Sequence, residues 1–313
     1  MPKEYDFIII GAGGTGLAAA MYAARLNLKT LVLGFTHGTE LPVGGVITTT
    51  NVVENYPGFI TLTGVELAKK LEEHARSYEE VEIKNEKVVD VKKTEKNFFV
   101  KTEKNLYHGK TILFATGTRW RELEVPGSKE FMNRGVHYCA LCDGPLYRKK
   151  TVAVVGGSDS AAKDALLLSE HAEKVYIIYR GEEIHPEPIN FERIKKKKNI
   201  EIINNASILE VRGDKLVNKI ILDRKYKNSN ELELNGVFVA MGHIMLSELA
   251  KTIGVETNKS GEIKINHMTS ETNVARVFAA GDVTDKQFKQ LITGVADGCT
   301  AAYSAYEYIQ KTD

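Results

Sequence analysis

Two short glycine-rich turns, each set after an apolar run and before an alanine-rich stretch, constrain this chain more than any other feature of its sequence. Asp6 to Ile10 is β-branched and aromatic, Gly11-Ala12-Gly13-Gly14-Thr15-Gly16 follows, and Leu17 to Ala24 is rich in alanine, a strong helix former. That order predicts strand, glycine turn, helix. In a G-x-G-x-x-G turn the first glycine permits a tight bend, the second lets backbone approach a pyrophosphate, and the third lets helix and strand pack closely. The helix N-terminus supplies amide donors and a partial positive charge. The same order recurs at Thr151 to Val155, Gly156 to Ser160 and Ala161 to Leu168. Two such units suit a chain of 313 residues, because a domain averages about 150.

Composition narrows the partners. With 42 Lys and Arg against 41 Asp and Glu, nothing in the overall charge points to nucleic acid or a membrane surface. The longest apolar run, Leu17 to Ala24, is far short of the roughly 18 to 20 residues that span a bilayer. The acidic start at Glu4 and Asp6 is unlike a signal peptide, so the cytoplasm is the expected compartment. The four lysines Lys195 to Lys198 read as a solvated helix end. Charged hairpins are expected over Glu82 to Val100 and Ile200 to Leu222, with domain boundaries in Gly117 to Arg121 and Gly242 to Ser247.

Two of the three cysteines stand in Cys139-Ala140-Leu141-Cys142-Asp143-Gly144. Two intervening residues let the sulfurs meet, and a thiolate at a helix start is stabilised by the dipole and nearby amides. The pattern points to redox chemistry. Zinc would need a second ligand pair, which His137 and Cys299 do not supply. Asp143 is placed to move the proton that dithiol-disulfide exchange requires; a helix-capping role is the alternative, and the two can coexist. Cys299 reads as a small buried hydrophobe. The first glycine motif also expects an acid about 20 residues on, to hold a ribose hydroxyl. Leu31-Val32-Leu33 ends instead at Gly34, and the nearest acid is Glu40.

Over nearly its whole length the chain resembles the low-molecular-weight thioredoxin reductases. The resemblance rests on the first glycine motif, Gly44-Gly45 with Thr48-Thr49-Thr50, Glu54-Asn55-Tyr56-Pro57-Gly58, Ala115-Thr116-Gly117, Val125-Pro126-Gly127, Gly135-Val136-His137-Tyr138-Cys139, the second glycine motif, and Phe278-Ala279-Ala280-Gly281-Asp282. It implies an α/β fold of two Rossmann-like three-layer nucleotide-binding domains, the second inserted in the first. Residues 1–118 and 246–313 would form an FAD domain, and residues 119–245 a NAD(P)H-type domain carrying the Cys pair. By the same resemblance FAD would meet Gly11, Ala12, Gly13, Gly14, Thr15, Gly16, Gly34, Gly44, Gly45, Val46, Thr48, Asn55, Val88, Ala115, Thr116, Gly117, Gly281 and Asp282. Lys289-Gln290-Leu291 stands where the family has Arg-Gln-Ala facing the flavin through backbone amides, so a lysine there is compatible with binding. Cys142 resembles the sulfur beside the flavin, and Cys139 the thiol that attacks a thioredoxin-like partner. A homodimer is also implied.

One site departs from the family. Gly156-Gly157-Ser158-Asp159-Ser160-Ala161 has serine where backbone nears the pyrophosphate. Where the family places His-Arg-Arg-Asp-x-Phe-Arg for the 2′-phosphate of NADPH, this chain has Tyr179-Arg180-Gly181-Glu182-Glu183-Ile184-His185. Arg180 alone of three arginines remains, and each lost charge-assisted contact is worth about 1.5 to 3 kcal/mol. Weak or absent NADPH preference is therefore expected, with NADH, a reduced deazaflavin or another donor in its place; Glu182 and Glu183 are otherwise exposed loop charges. Alternatives to a thioredoxin-disulfide reductase are a flavin-binding redox sensor and a reductase of another protein disulfide.

Overall fold

The computed structural model describes residues 3–35, 43–50 and 52–312. The chain divides into two compact units, one made of Met1–Arg119 with Ile244–Asp313 and the other of Trp120–His243. The two crossings fall inside the Gly117 to Arg121 and Gly242 to Ser247 segments.

The first unit opens with strand β1 (Glu4–Ile10), helix α1 (Gly14–Arg25) and strand β2 (Thr30–Gly34). Helix α2 (Gly64–Arg76), strands β3 (Val81–Asn85), β4 (Val88–Lys93), β5 (Phe98–Thr102), β6 (Leu106–Phe114) and β7 (Thr118–Trp120) complete its N-terminal part. Strands β3, β2, β1 and β6 lie side by side in parallel. The returning chain adds β17 (Val277–Ala279) parallel to the second half of β6 and ends in the long helix α7 (Leu291–Thr312). The first half of β6 carries the antiparallel β4–β5 hairpin. The antiparallel pairing expected within Glu82 to Val100 is found between β4 and β5, and the expectation is corrected at its start, where Val81–Asn85 joins the parallel sheet. An edge strand is half exposed and alternates in character like a hairpin strand, which hides the difference in sequence.

Strand β1 shows why the layers form. Ile8 and Ile10 enter one core with Leu31, Leu33 and Phe114, while Phe7 and Ile9 enter another with Leu17, Ala20 and Ala302. A strand buried on both faces requires helices on at least one side, and α1 packs there against α7. Burial of each such side chain contributes about 1.5 to 3 kcal/mol. Helix α2 starts with a reciprocal capping box, Thr63 accepting from the Glu66 amide and the Glu66 carboxylate accepting from Thr63.

The second unit contains β8 (Val136–His137), helix α3 (Ala140–Asp143), β9 (Thr151–Val155), α4 (Asp159–Ser169), β10 (Lys174–Tyr179), α5 (Pro188–Lys196) and β11 (Ile200–Asn204). Strands β12 (Ile208–Gly213), β13 (Val217–Tyr226) and β14 (Ser229–Glu233) form an antiparallel meander, and β15 (Gly236–Val239) closes a parallel sheet ordered β11-β10-β9-β15-β8. Here too the hairpin expected over Ile200 to Leu222 is corrected only in its first part: β12 and β13 pair antiparallel, while β11 pairs in parallel with β10. The lysine run ends α5, where Lys195 pairs with Glu192 and Lys197 with Glu170. Strand β16 (His243–Met245) and the short helix α6 (Glu248–Lys251) lead back to the first unit. The molecule therefore has the expected α/β class, with one Rossmann-like unit inserted in another.

Candidate functional site

The sheet order of the first unit places a switch point between β1 and β6, because β2 and β3 lie to one side of β1 and β17 to the other. Gly11 and Ala115 meet there. Gly11 has φ +117°, and a Cβ on it would stand 2.2 Å from the Ala115 carbonyl oxygen. Gly16 is held as tightly, its would-be Cβ lying 1.9 Å from the Gly11 carbonyl oxygen. Gly13 is different: the nearest atoms to a Cβ there are 3.9 Å away. The two outer glycines thus let backbone meet backbone, whereas a Cβ on the middle one would make only ordinary van der Waals contact with Gly44 and Gly45 at the start of α1. That helix has no side chain capping its N-terminus and no acid in its first turn. Its amide donors fit a phosphate group.

The other sequence-selected residues of this unit gather on the same sheet edge. The Gly44 amide donates to the Ala12 carbonyl at 2.8 Å, and buried Thr48 donates to the Gly45 carbonyl at 2.8 Å. Val46 sits in the same 3-10 turn. Gly34 ends β2 and accepts from Glu86, and Val88 begins β4. Thr116 donates to the Leu246 carbonyl at 2.6 Å, and Gly117 adopts φ +63°. Asn55 donates to the Gln290 side chain at 3.0 Å, joining two segments far apart in sequence. Thr15 turns its side chain away from the glycine turn, towards Gly281 and Gly294. Leu291 packs on Gly14, where a Cβ would lie 2.5 Å from it. Asp282 stands in the Gly281–Val283 turn. The Lys289 ammonium donates to the Asp282 and Thr284 carbonyls and pairs with Glu262 at 3.0 Å. Its side chain therefore braces that turn, which explains how lysine is accepted there. Glu40 lies outside the described residues.

In the second unit Cys139 and Cys142 form a disulfide, with Cα atoms 5.4 Å apart. Cys139 caps α3, and its Sγ accepts the Cys142 amide at 3.1 Å. Helix α3 has four residues and runs into the 3-10 turn Gly144–Tyr147, so its dipole is small and the direct amide contact is what would favour a thiolate at Cys139 once the pair is reduced. Cys142 is exposed and Cys139 partly so. Asp143 also meets a residue that the sequence reading left without a role. Its Oδ2 lies 2.9 Å from Nδ1 of His137, a distance of ion pairing without the alignment of a hydrogen bond. His137 is 4% exposed, stacks on Phe238 and contacts the Tyr147 hydroxyl through Nε2 at 2.7 Å. Burial lowers the imidazole pKa, against the opposing pull of Asp143. Burial also pushes the Tyr147 phenol up to about 12, with the Asp143 charge adding to it. The one available signal was a histidine two residues ahead of Cys139 on a short strand. Cys299 is half-buried, and burial raises its thiol pKa.

The second glycine turn repeats the first at Gly156, whose φ is +153° and whose would-be Cβ lies 2.2 Å from the Ala240 carbonyl oxygen. The middle of this turn is the part-exposed Ser158, and the crowding lies one residue earlier, at Gly157. The Tyr179 ring lies so close to Gly157 and Gly181 that a Cβ on either would stand 2.5 Å from it. The His185 amide donates to the Gly157 carbonyl at 2.7 Å. Asp159 accepts from the Glu187 amide at 2.9 Å and from Asn190 at 2.8 Å, and pairs with Lys163. The segment after β10 is thereby tied down over the turn. Ser158 precedes α4 without capping it, Ser160 is exposed in its first turn, and Arg180, Glu182 and Glu183 are exposed.

Among the described residues, no group of three or more His, Cys, Asp or Glu side chains could hold a metal, and no helix is long and apolar enough to cross a membrane.

Comparison with known proteins agrees with this geometry. The family described as pyridine nucleotide-disulphide oxidoreductase matches residues 5–298. A 34.2 kDa protein in the rubredoxin operon of Clostridium pasteurianum is 39% identical, covering 98% of each chain. A thioredoxin reductase of Bacillus subtilis is 36% identical, covering 99% of this chain and 96% of its own. The solved thioredoxin reductase of Lactococcus lactis superposes with a TM-score of 0.91 at 34% identity, over 98% and 99% of the two chains. A ferredoxin-flavin thioredoxin reductase of Clostridium acetobutylicum does so with a TM-score of 0.53 at 31% identity, over 99% and 100%. The chain belongs to the pyridine nucleotide-disulphide oxidoreductases, and within them to the low-molecular-weight thioredoxin reductases, a family of FAD-dependent enzymes.

Proposed function

We propose that this chain is an FAD-dependent thioredoxin-disulfide reductase in which Cys139 and Cys142 carry electrons to a thioredoxin-like protein. The observation that carries the proposal is the solvent-accessible Cys139–Cys142 disulfide with Asp143 next in sequence, on a unit inserted into a second one that holds the Gly11–Gly16 turn and the uncapped start of α1. The Gly11–Gly16 turn, the uncapped start of α1 and the turn at Gly281-Asp282 fit a dinucleotide, and Asn55, Thr48 and the Lys289-Gln290-Leu291 amides are its other proposed neighbours. FAD, when bound, supplies the two-electron carrier.

The chemistry of the chain itself starts from the reduced pair, with Cys139 as thiolate, Cys142 as thiol and Asp143 protonated. Cys139 attacks one sulfur of the partner's disulfide, that bond breaks, and the departing partner thiolate takes the Asp143 proton. Cys142 gives its proton to Asp143 and attacks Cys139, which expels the second partner thiolate; Asp143 then protonates it. The partner gains two electrons and two protons, and the Cys139–Cys142 bond re-forms. Replacing Cys139 with Ser should abolish reduction of oxidised thioredoxin while flavin stays bound; retained turnover would sink the assignment.

In this reading NADPH is a weak donor or none. Tyr179 and the segment tied to Asp159 crowd the second glycine turn, and a single arginine is left for a 2′-phosphate. NADH, a reduced deazaflavin or another donor remains, and the Clostridium acetobutylicum relative named for ferredoxin and flavin supports a donor outside the nicotinamides. Anaerobic mixing with NADPH, NADH and reduced deazaflavin, watched by flavin bleaching, tests this. Fastest bleaching by micromolar NADPH would overturn it.

A further inference from the structure

The geometry points to His137 as a positioning residue for the disulfide-exchange step, holding the Asp143 carboxyl at the Cys139–Cys142 pair and linking it to the buried Tyr147 hydroxyl. This inference rests on the proposed roles of Cys139, Cys142 and Asp143, and it adds two residues to which those roles assign nothing.

Three observations carry it. His137 lies on a strand buried in the core, 4% exposed, with its ring stacked on Phe238 at 5.3 Å, so its orientation is fixed by packing. Each ring nitrogen faces a different ionisable side chain: Nδ1 faces Asp143 Oδ2 at 2.9 Å, and Nε2 faces the Tyr147 hydroxyl at 2.7 Å. Asp143, 31% exposed at its side chain, is the one member of the three with substantial access to solvent, and it adjoins Cys142 in sequence. A buried histidine between a carboxyl and a hydroxyl is not a packing necessity, since an apolar ring would fill the same space without a desolvation cost.

The arrangement has a definite proton logic. Burial keeps the imidazole neutral near pH 7. When the Tyr147 hydroxyl donates to Nε2, the single ring proton sits on Nδ1, the nitrogen 2.9 Å from Asp143 Oδ2, where a small turn of the carboxyl would align the two. That N–H is the group that can hold the carboxylate left behind each time Asp143 gives its proton to a departing thiolate. Its loss leaves the carboxylate with more freedom to turn from the sulfurs. The groups facing His137 from the packed elements are Asp143 of α3 and Tyr147 of the following turn, while β15 contributes only Phe238. Helix α4, which packs on α3, carries Asp164 beside Ala161 and Leu168; burial pushes its carboxyl up to about 7, although part of the residue reaches solvent.

The test uses the full-length flavoprotein, reduced beforehand with dithiothreitol and freed of it, so that no electron donor enters. Single-turnover oxidation by thioredoxin disulfide is followed from pH 5.5 to 9. His137→Phe should slow it at least 10-fold at pH 7 and move the acidic inflection of its rate profile to higher pH, with flavin content unchanged. His137→Asn, which keeps a donor near the Nδ1 position, should recover a third or more of the wild-type rate. Tyr147→Phe, which removes only the hydroxyl, should slow exchange 3- to 10-fold and decides the matter if His137→Phe does not fold. A wild-type rate and profile in His137→Phe, or in Tyr147→Phe where that variant decides, would overturn the inference. So would an Asp164→Asn protein whose profile shifts as His137→Phe does, for the titration would then belong to α4. Wild-type protein inert towards thioredoxin disulfide would instead remove the proposed function, and this inference with it.

Discussion

The crowded second glycine turn makes a quantitative prediction about the donor. Restoring an arginine at position 181 adds one charge-assisted contact to a 2′-phosphate, worth about 1.5 to 3 kcal/mol, or roughly 10- to 150-fold in affinity. Gly181→Arg alone should not deliver it. Its Cβ would stand 2.5 Å from the Tyr179 ring, and that ring cannot retreat because Gly157 bounds its other side at the same would-be distance. Overpacking of this kind costs about 1 to 3 kcal/mol and lowers Tm by about 2 to 4 °C per kcal/mol in a unit of this size. Tyr179→His with Gly181→Arg removes the phenol and admits the arginine together. The two changes should be coupled, since both act on one cavity. Anaerobic titration of NADPH against flavin absorbance should show the double variant binding about 10- to 150-fold more tightly than wild type, with Gly181→Arg alone gaining less than about 3-fold. If the single variant binds as tightly as the double one, the Tyr179 ring is not the obstacle and the reasoning fails.

Further predictions test other parts of the molecule. Gly11→Ala would force a Cβ to 2.2 Å from the Ala115 carbonyl at a left-handed φ, so loss of flavin and about 2 to 5 kcal/mol of stability are expected by absorbance ratio and thermal melting. Thr63→Ala removes the α2 capping box and should cost about 1 kcal/mol in urea unfolding, with flavin retained. Asp164, its carboxyl raised to about 7, holds its proton more tightly folded than unfolded. Stability is therefore lost as pH rises from the ordinary aspartate range through about 7. Asp164→Asn should raise Tm more at pH 8 than at pH 4, and an equal effect at both would contradict the burial argument. Glu82 is the opposite case: hydrogen bonds from Lys3, Tyr5 and Lys84 outweigh burial and hold its carboxyl near 2. Its contribution is present above the usual glutamate range and lost as pH falls towards 2, so Glu82→Gln should flatten the acid limb of the stability curve.

Much of the fold was legible because its signals are local. The glycine turns, the run before each and the alanines after each specify strand, turn and helix within about 20 residues. Both parallel sheets follow from two such units in one chain, and the insertion from the family resemblance, whose motifs stand at both ends. The edge strands Val81–Asn85 and Ile200–Asn204 were not legible as parallel strands, because half burial gives them the alternation of a hairpin. At the first glycine turn the sequence did not give the orientation of side chains. Thr15 and Lys289 both turn into the protein, to pack on Gly281 and Gly294 and to brace the Asp282 turn.

By itself the sequence determined the two glycine turns and the closely spaced cysteine pair, since each is carried by residue type and short spacing, and the family resemblance added the loss of two arginines. Only the tertiary structure decided what surrounds them. It set Tyr179 against the second turn, tied Asp159 to the segment that follows β10, and brought His137 and Tyr147, ten residues apart, into one line with Asp143. The physical reason is the same in each case. Backbone turns are fixed by local sterics, whereas the partner of a buried polar side chain is chosen by how distant elements pack.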